Sequence, residues 1–380
     1  MRTLLVTGPG GSGRTTVAAA TALAAAGRGE RVLLVGGALP ELPVHPLLET
    51  VRLDPDARFR AEIVALQERG GAVFDLLGAR PLQAEELTAV PGAEQFALLR
   101  ALRRAADGGA YDLVVADLPP VREAVDLLAL PAQLRRYLRR LIPAERQAAR
   151  SLRPVLAQLA GVPMPAQWLY ETADRWNAEL AAVQAVIESD TTAVRLVAEP
   201  GPAGAAAVRA AVTALALHQL PLDLLVANRV VPGGSAYPWL AGLAAQQDSC
   251  LHDWTAAGLA PAALPHLGRD PRGAADLARL DAGPGSRTRR AAWEVEDLRA
   301  EDGVLVWRVP LPGATREGLD LVRRGDELLL TAGPHRRIVS LPAALRRCTV
   351  SGAALRDGEL RIRFTPDPAL WPTGQVGPTP

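Results

Sequence analysis

The sequence predicts an α/β fold, a mostly parallel sheet with helices on both faces, followed by a small all-β sandwich. Three observations carry this. Short continuous apolar runs alternate with helical patterns over residues 1–280. The first run leads into a glycine-rich stretch, Gly8–Thr16 (GPGGSGRTT), and then into a helix. Beyond residue 290 the runs shorten and turn residues recur between them.

Leu4–Val6 is the first buried strand, and Val17–Gly27 is an alanine-rich helix closed by a glycine. Between them Gly8, Gly13, Arg14 and Thr15 fit G-x-x-x-x-G-[KR]-[ST]. Glycines let backbone N–H groups curl around a phosphate, and a helix N-terminus adds partial positive charge. A threonine in the last position can ligate Mg²⁺. Arg14 stands where such loops carry lysine, and its planar fork is bulkier than an ammonium. The plain alternative is a strand-to-helix turn with no ligand.

Arg31–Val35 is the second strand, and Gly36–Pro46 a loop. Residues 55–107 read mainly as helices, with helical spacing over Ala61–Gln67 and Glu94–Asp107. Leu113–Ala116 is the third strand, ending in Asp117. Residues 121–190 are helical, punctuated by prolines at 131, 143, 154, 163 and 165. Within them Leu134–Leu141 carries four arginines and reads as a solvated amphipathic face, in preference to an anion or partner site. Gln167–Trp176 reads as a helix packed on the core. Val194–Val197 is the fourth strand, 204–219 a helix, and Leu222–Pro232 a fifth strand ending in Asn228. Pro265–Leu280 runs from a short strand or loop into another helix.

Asp281–Arg290 is polar and glycine-containing, a linker. Strand-like runs follow at 304–309, 327–332, 337–342, 348–353 and 359–364, the spacing of an all-β sandwich. The expected organisation is therefore 1–280, with a helical insert at about 121–190, a linker at 281–292, a β-sandwich at 293–366 and a disordered tail at 367–380.

Composition removes several classes. Net charge is +1, so no general pull toward nucleic acid or membrane is expected. No apolar run reaches the ~18 residues of a membrane span, and the N-terminus does not read as a leader, so a cytoplasmic protein is expected. Cys250 and Cys348 form no C-x-x-C, and the five histidines show no metal-ligand spacing. All 42 basic residues are arginine. Arg14 therefore follows a drift of the whole chain away from lysine.

In order, Gly8–Thr16, Tyr111–Pro131, Leu224–Gly234 and Pro265–Leu280 resemble the arsenite-pump ATPase (ArsA) family, which includes the tail-anchored-protein targeting ATPases. The resemblance covers about residues 1–280 and implies a P-loop NTPase with a deviant Walker A loop that takes ATP or ADP with Mg²⁺. Trp293–Phe364 is similar to the small heat-shock (α-crystallin-like) β-sandwich appended to some bacterial members. The resemblance implies that Gly8, Gly10, Gly11 and Gly13 form the phosphate cradle and that Arg14 takes the place of the catalytic lysine. It implies that Thr15 ligates Mg²⁺ and that Thr16 contacts the α-phosphate. Asp117 then opens switch II and holds the Mg²⁺ shell through water. Asn228 meets adenine, although a strand-end asparagine is also an ordinary turn residue. A homodimer and a protein client follow from the same resemblance.

The departures are as informative. Pro9 replaces the signature lysine that reaches a partner's phosphates, and proline has neither cation nor N–H. Gly36-Gly37-Ala38-Leu39-Pro40 stands where the family has the switch I carboxylate. Switch II reads Asp117–Glu123, DLPPVRE, and its two prolines stiffen it. Soft As(III) needs clustered thiolates, which two isolated cysteines do not supply. Losing transition-state cations costs on the order of 10³-fold, so hydrolysis is expected to be slow or absent. Three functions stay open: a nucleotide-binding member with degraded catalysis, a working ATPase completed by a partner, and a non-nucleotide chaperone or scaffold acting through the β-sandwich.

Overall fold

In the computed structural model the apolar runs of the first half become one seven-stranded sheet. The structure describes residues 1–54, 60–61, 64, 67, 82–88, 92–141, 167–285 and 290–370, with the side chains of 167–171 left aside. The strands are β1 (Arg2–Thr7), β2 (Val32–Gly36), β3 (Leu48–Arg52), β4 (Leu113–Asp117), β5 (Thr192–Ala198), β6 (Leu222–Val230) and β7 (Pro261–Pro265). They lie in the order β3-β2-β4-β1-β5-β6-β7, and all pairs are parallel. The helices are α1 (Arg14–Gly27), α2 (Ala93–Gly108), α3 (Val121–Leu141), α4 (Gln167–Glu188), α5 (Pro202–Leu217), α6 (Pro238–Ala256) and α7 (Gly273–Ala278).

Alternation along the strands feeds two cores. Leu5, Leu33, Val35, Val114 and Val194 face α2, α3 and α4. Leu4, Val6, Leu34, Val115 and Val197 face α1 and α7. Strands buried on both faces need apolar residues at both parities, which is why they read as continuous runs rather than alternating ones. Alanines 18, 19, 20, 22, 25 and 26 of α1 are all buried, so this helix lies close against the sheet.

A second body follows. β9 (Val304–Pro310), β14 (Glu359–Pro366), β13 (Cys348–Arg356) and β8 (Val295–Leu298) form one antiparallel sheet; β10 (Leu319–Arg324), β11 (Glu327–Ala332) and β12 (His335–Ser340) form another. A short helix α8 (Ala343–Arg346) precedes β13. Trp307, Val309, Leu328, Leu330, Ile362 and Phe364 fill the space between the sheets. Leu217, at the end of α5, is buried in this same cluster. Thr213 Oγ1 donates to Pro312 O at 2.6 Å, which fixes α5 to the loop after β9.

Several expectations need correction. β3, α6, β8 and β10 were not foreseen. β3 is a half-exposed edge whose Leu-Glu-Thr-Val-Arg sequence carries no apolar run. Pro131 does not punctuate; it lies inside α3, buried. The four arginines of Leu134–Leu141 are not a plain solvated face. Arg136 Nε and Nη2 donate to Glu327 Oε1 and Oε2 of β11 at 2.8 and 2.7 Å, and Arg140 joins at 2.6 Å. Arg135 bonds Asn177 and Gln184 of α4. α4 packs through Leu180, Val183 and Ile187, yet Trp176 is 54% exposed. The prolines at 143, 154, 163 and 165, most of the helix expected over Ala61–Gln67, part of the linker and the end of the tail lie outside the described residues.

The Arg136–Glu327 pair is 16% and 18% exposed, so it is only partly screened. Glu327→Gln is expected to cost about 1–2 kcal/mol in urea unfolding, through loss of charge-assisted hydrogen bonds. The arginines hold the Glu327 carboxyl below its ordinary range. Its contribution is therefore complete above the ordinary glutamate range and is lost as pH falls through the lowered folded value. The cost of the substitution should shrink in acid along that course.

Candidate functional site

The residues singled out in the sequence meet at the carboxyl ends of β1, β4 and β6, where parallel α/β sheets place their ligands. Gly8–Gly13 forms the turn between β1 and α1. A Cβ on Gly8 would sit 1.9 Å from Val197 O, so β5 passes too close for any side chain. Gly13 has φ 89°, and a Cβ there would lie 2.2 Å from Asn228 Nδ2. Around Gly10 and Gly11 the space is open. No side chain caps α1, and its own first turn carries no acid.

Thr15 Oγ1 donates to Asp117 Oδ2 at 2.6 Å. Asp117 Oδ1 is buried without a partner. Burial pushes the Asp117 carboxyl above its ordinary range; the Thr15 bond and the Arg14 charge oppose this, and Glu94 adds to it. A hydroxyl beside a buried, half-satisfied carboxylate suits Mg²⁺, which keeps several waters and takes few protein oxygens alongside phosphates. Among the described residues no group of three or more His, Cys, Asp and Glu is arranged to hold a metal.

Arg14 does not turn into the loop. Its Nη1 donates to Leu118 O at 2.5 Å. Thr7 Oγ1 donates to Pro119 O at 2.8 Å, and Val121 N to Gly8 O at 3.1 Å. The segment after Asp117 is thus fastened at three points, to the end of β1, to the phosphate loop and to the start of α1. α3 starts at Val121 directly after the two prolines, with no flexible loop between.

Two participants were not legible in the sequence. A Cβ on Gly37 would lie 2.5 Å from Glu94 Oε1, in the first turn of α2. A Cβ on Gly36 would lie 2.9 Å from that of Asp117. Gly36 and Gly37 therefore leave room for a carboxylate arriving from another helix. Gln247, 1% exposed in α6, accepts from Val231 N at 2.8 Å and donates to Arg229 O at 3.1 Å. It holds Arg229 at φ 59°, a left-handed conformation unusual for arginine. Nothing in the local pattern around either residue signals these roles.

Asn228 is 5% exposed, and its Nδ2 donates to Ser12 O at 2.8 Å. Its amide braces the phosphate loop. Gly13, Thr16 and Asn228 border a cleft of about 460 Å³ closed by the Pro265–Pro271 segment. Thr16 is thus on this side of the loop, away from the Thr15–Asp117 pair. Cys250 and Cys348 are buried in separate cores with no disulfide. Among the described residues no helix is long and apolar enough to cross a membrane.

A family model described as anion-transporting ATPase matches residues 1–38 and 40–253. A second, described as an HSP20-like domain found in ArsA, matches residues 302–364. An uncharacterized protein of Streptomyces coelicolor is 57% identical over 99% of this chain and 100% of its own length. A Mycobacterium tuberculosis protein is 29% identical over 98% of both chains. An Aquifex aeolicus protein, named as a candidate arsenical pump-driving ATPase, is 24% identical over 95% of this chain and 99% of its own length. The chain belongs to the anion-transporting (ArsA) ATPase family, and carries that family's HSP20-like domain at its C-terminal end.

Proposed function

We propose that this protein binds an adenine nucleotide with Mg²⁺ at the phosphate loop and hydrolyses it slowly or not at all. The observation that carries the reading is the Thr15–Asp117 pair, with Asp117 Oδ1 buried and unpartnered beside an uncapped helix start. Gly8, Gly10, Gly11 and Gly13 would cradle the phosphates, and Thr15 and Asp117 would hold Mg²⁺, directly and through water. Bound Mg²⁺ would offset phosphate charge. Thr16 and Asn228 would lie on the nucleoside side, in the cleft closed by Pro265–Pro271. Slow chemistry is supported by the missing cation at Pro9, by the absence of a carboxylate in Gly36–Pro40, and by an Arg14 engaged with Leu118 O. The two bodies would then act as a 1–280 ATPase-like unit and a 293–366 sandwich joined by a linker, working as a homodimer or on a protein client.

Arg14 also favours a second reading, in which the loop is retired and the protein serves as a scaffold or chaperone through its sandwich. Calorimetric titration with ATP and ADP, with and without Mg²⁺, separates the two. Mg²⁺-dependent binding weakened at least about tenfold by Thr15→Ala is expected, from loss of the hydroxyl proposed to hold Mg²⁺. No heat at millimolar nucleotide from folded protein supports the retired loop. Vigorous turnover abolished by Thr15→Ala defeats both.

A further inference from the structure

A cleft of about 550 Å³ lies between α3, the ends of α4 and α5, and β12 of the sandwich. It shares no residue with the phosphate loop. Its volume is in the range of small-molecule sites. Leu128, Ile187, Leu220, Trp293 and Ile338 give it an apolar wall. Arg290, Arg336 and Arg337 also line it, against the single carboxylate of Glu188, which accepts from Gln184 Nε2 at 2.9 Å.

Arg337 is the unusual member. Its Nη1 donates to Leu217 O at 2.8 Å and its Nη2 to Gln219 Oε1 at 2.9 Å, both neutral oxygens. Its guanidinium lies 4.9 Å from the centre of the Trp293 ring. Among the described residues no carboxylate lies within salt-bridge distance of Arg337 or Arg290. Burial chiefly, with the neighbouring Arg290, pushes the Arg337 pKa down to about 10, and Glu188 opposes this. The indole N–H of Trp293 is buried without an acceptor. His218, which also lines the cleft, is held neutral, its pKa lowered to about 3 by burial and by Arg337. A guanidinium pair with no carboxylate at salt-bridge distance and a spare donor beside an apolar wall are the complement of one kind of molecule.

We propose that this cleft binds an amphipathic monoanion, an acid group on an alkyl or similarly apolar body. The acid accepts from Arg337 and Arg290, and the body lies along Trp293, Leu128 and Ile338. The site straddles α3 and β12, so an occupant would add contacts between the ATPase-type sheet and the sandwich.

The test is calorimetric titration of the full chain with decanoate, decanol and acetate. Decanoate is expected to bind at least about tenfold more tightly than either control, because a buried charged hydrogen bond and chain burial act together. Arg337→Gln should remove that advantage over decanol. Arg290→Gln, at the end of the linker, should reduce it with less risk to folding. Ala132→Trp, which fills the cleft, should weaken decanoate and decanol alike. Equal affinity for decanoate and decanol overturns the proposal. So does unchanged decanoate affinity in folded Arg290→Gln and Ala132→Trp proteins.

Discussion

Asp223→Ala is expected to cost about 3–5 kcal/mol in urea unfolding, the range for removing one partner of a buried ion pair. Arg195 is 2% exposed and Asp223 13%. Arg195 Nε and Nη2 donate to Asp223 Oδ2 at 3.0 and 2.8 Å, while Nη1 reaches Thr21 Oγ1 at 3.0 Å and Nη2 also reaches Gly283 O at 3.1 Å. Without the carboxylate, a guanidinium remains in the middle of β5 with only a hydroxyl and a carbonyl. The pair also seats the start of the linker. A Cβ on Gly285 would lie 2.1 Å from Asp223 Oδ1, so the backbone passes directly over the carboxylate. Asp223→Ala should therefore increase proteolytic cutting after Asp281 as well as lower the unfolding midpoint. A loss under about 1 kcal/mol would mean that Arg195 finds water instead.

Asp117→Asn is expected to move stability and function in opposite directions. In the folded protein the Asp117 carboxyl is raised, chiefly by burial. Its ionised form is therefore disfavoured on folding, and stability falls as pH rises through the raised value. Asparagine removes that charge, so the ligand-free variant should melt at or above the wild-type temperature at pH 7 and show a flatter pH dependence. Mg²⁺-supported nucleotide binding should fall by about 10–100-fold, as for loss of an outer-shell carboxylate at a metal. Differential scanning calorimetry with and without Mg²⁺-nucleotide checks both halves. A variant that is destabilised without ligand and still gains full stabilisation from Mg²⁺-nucleotide would show that Asp117 is a packing residue.

The sheet was legible because its signals are local. Leu4–Val6, the glycine loop and the alanine helix follow one another in about two dozen residues, and each constrains the next. The sandwich was legible for the same reason, in β9, β11, β12, β13 and β14. β3 escaped because an edge strand needs no apolar run, and β8 and β10 because only a few of their residues face the core. The site divides in the same way. Thr15 and Asp117 stand in recognisable local patterns and meet at hydrogen-bonding distance. Glu94 and Gln247 act only through where α2 and α6 lie, which no local pattern encodes. Leu134–Leu141 illustrates the limit: its periodicity describes a helix face, but Glu327, nearly 200 residues away, decides what that face touches.

α3 is fastened at both of its ends. Its first residue, Val121, bonds Gly8 O in the phosphate loop, and Arg136 grips Glu327 in the sandwich. At 1.5 Å per residue these two anchor points are about 22 Å apart along one continuous helix. The helix is therefore a lever. A tilt of about 5° at the loop end swings the arginine by about 2 Å, enough to part a hydrogen bond unless the sandwich travels with it. Any rearrangement at the phosphate loop large enough to tilt α3 must break the Arg136–Glu327 clamp or carry the sandwich along as a rigid passenger.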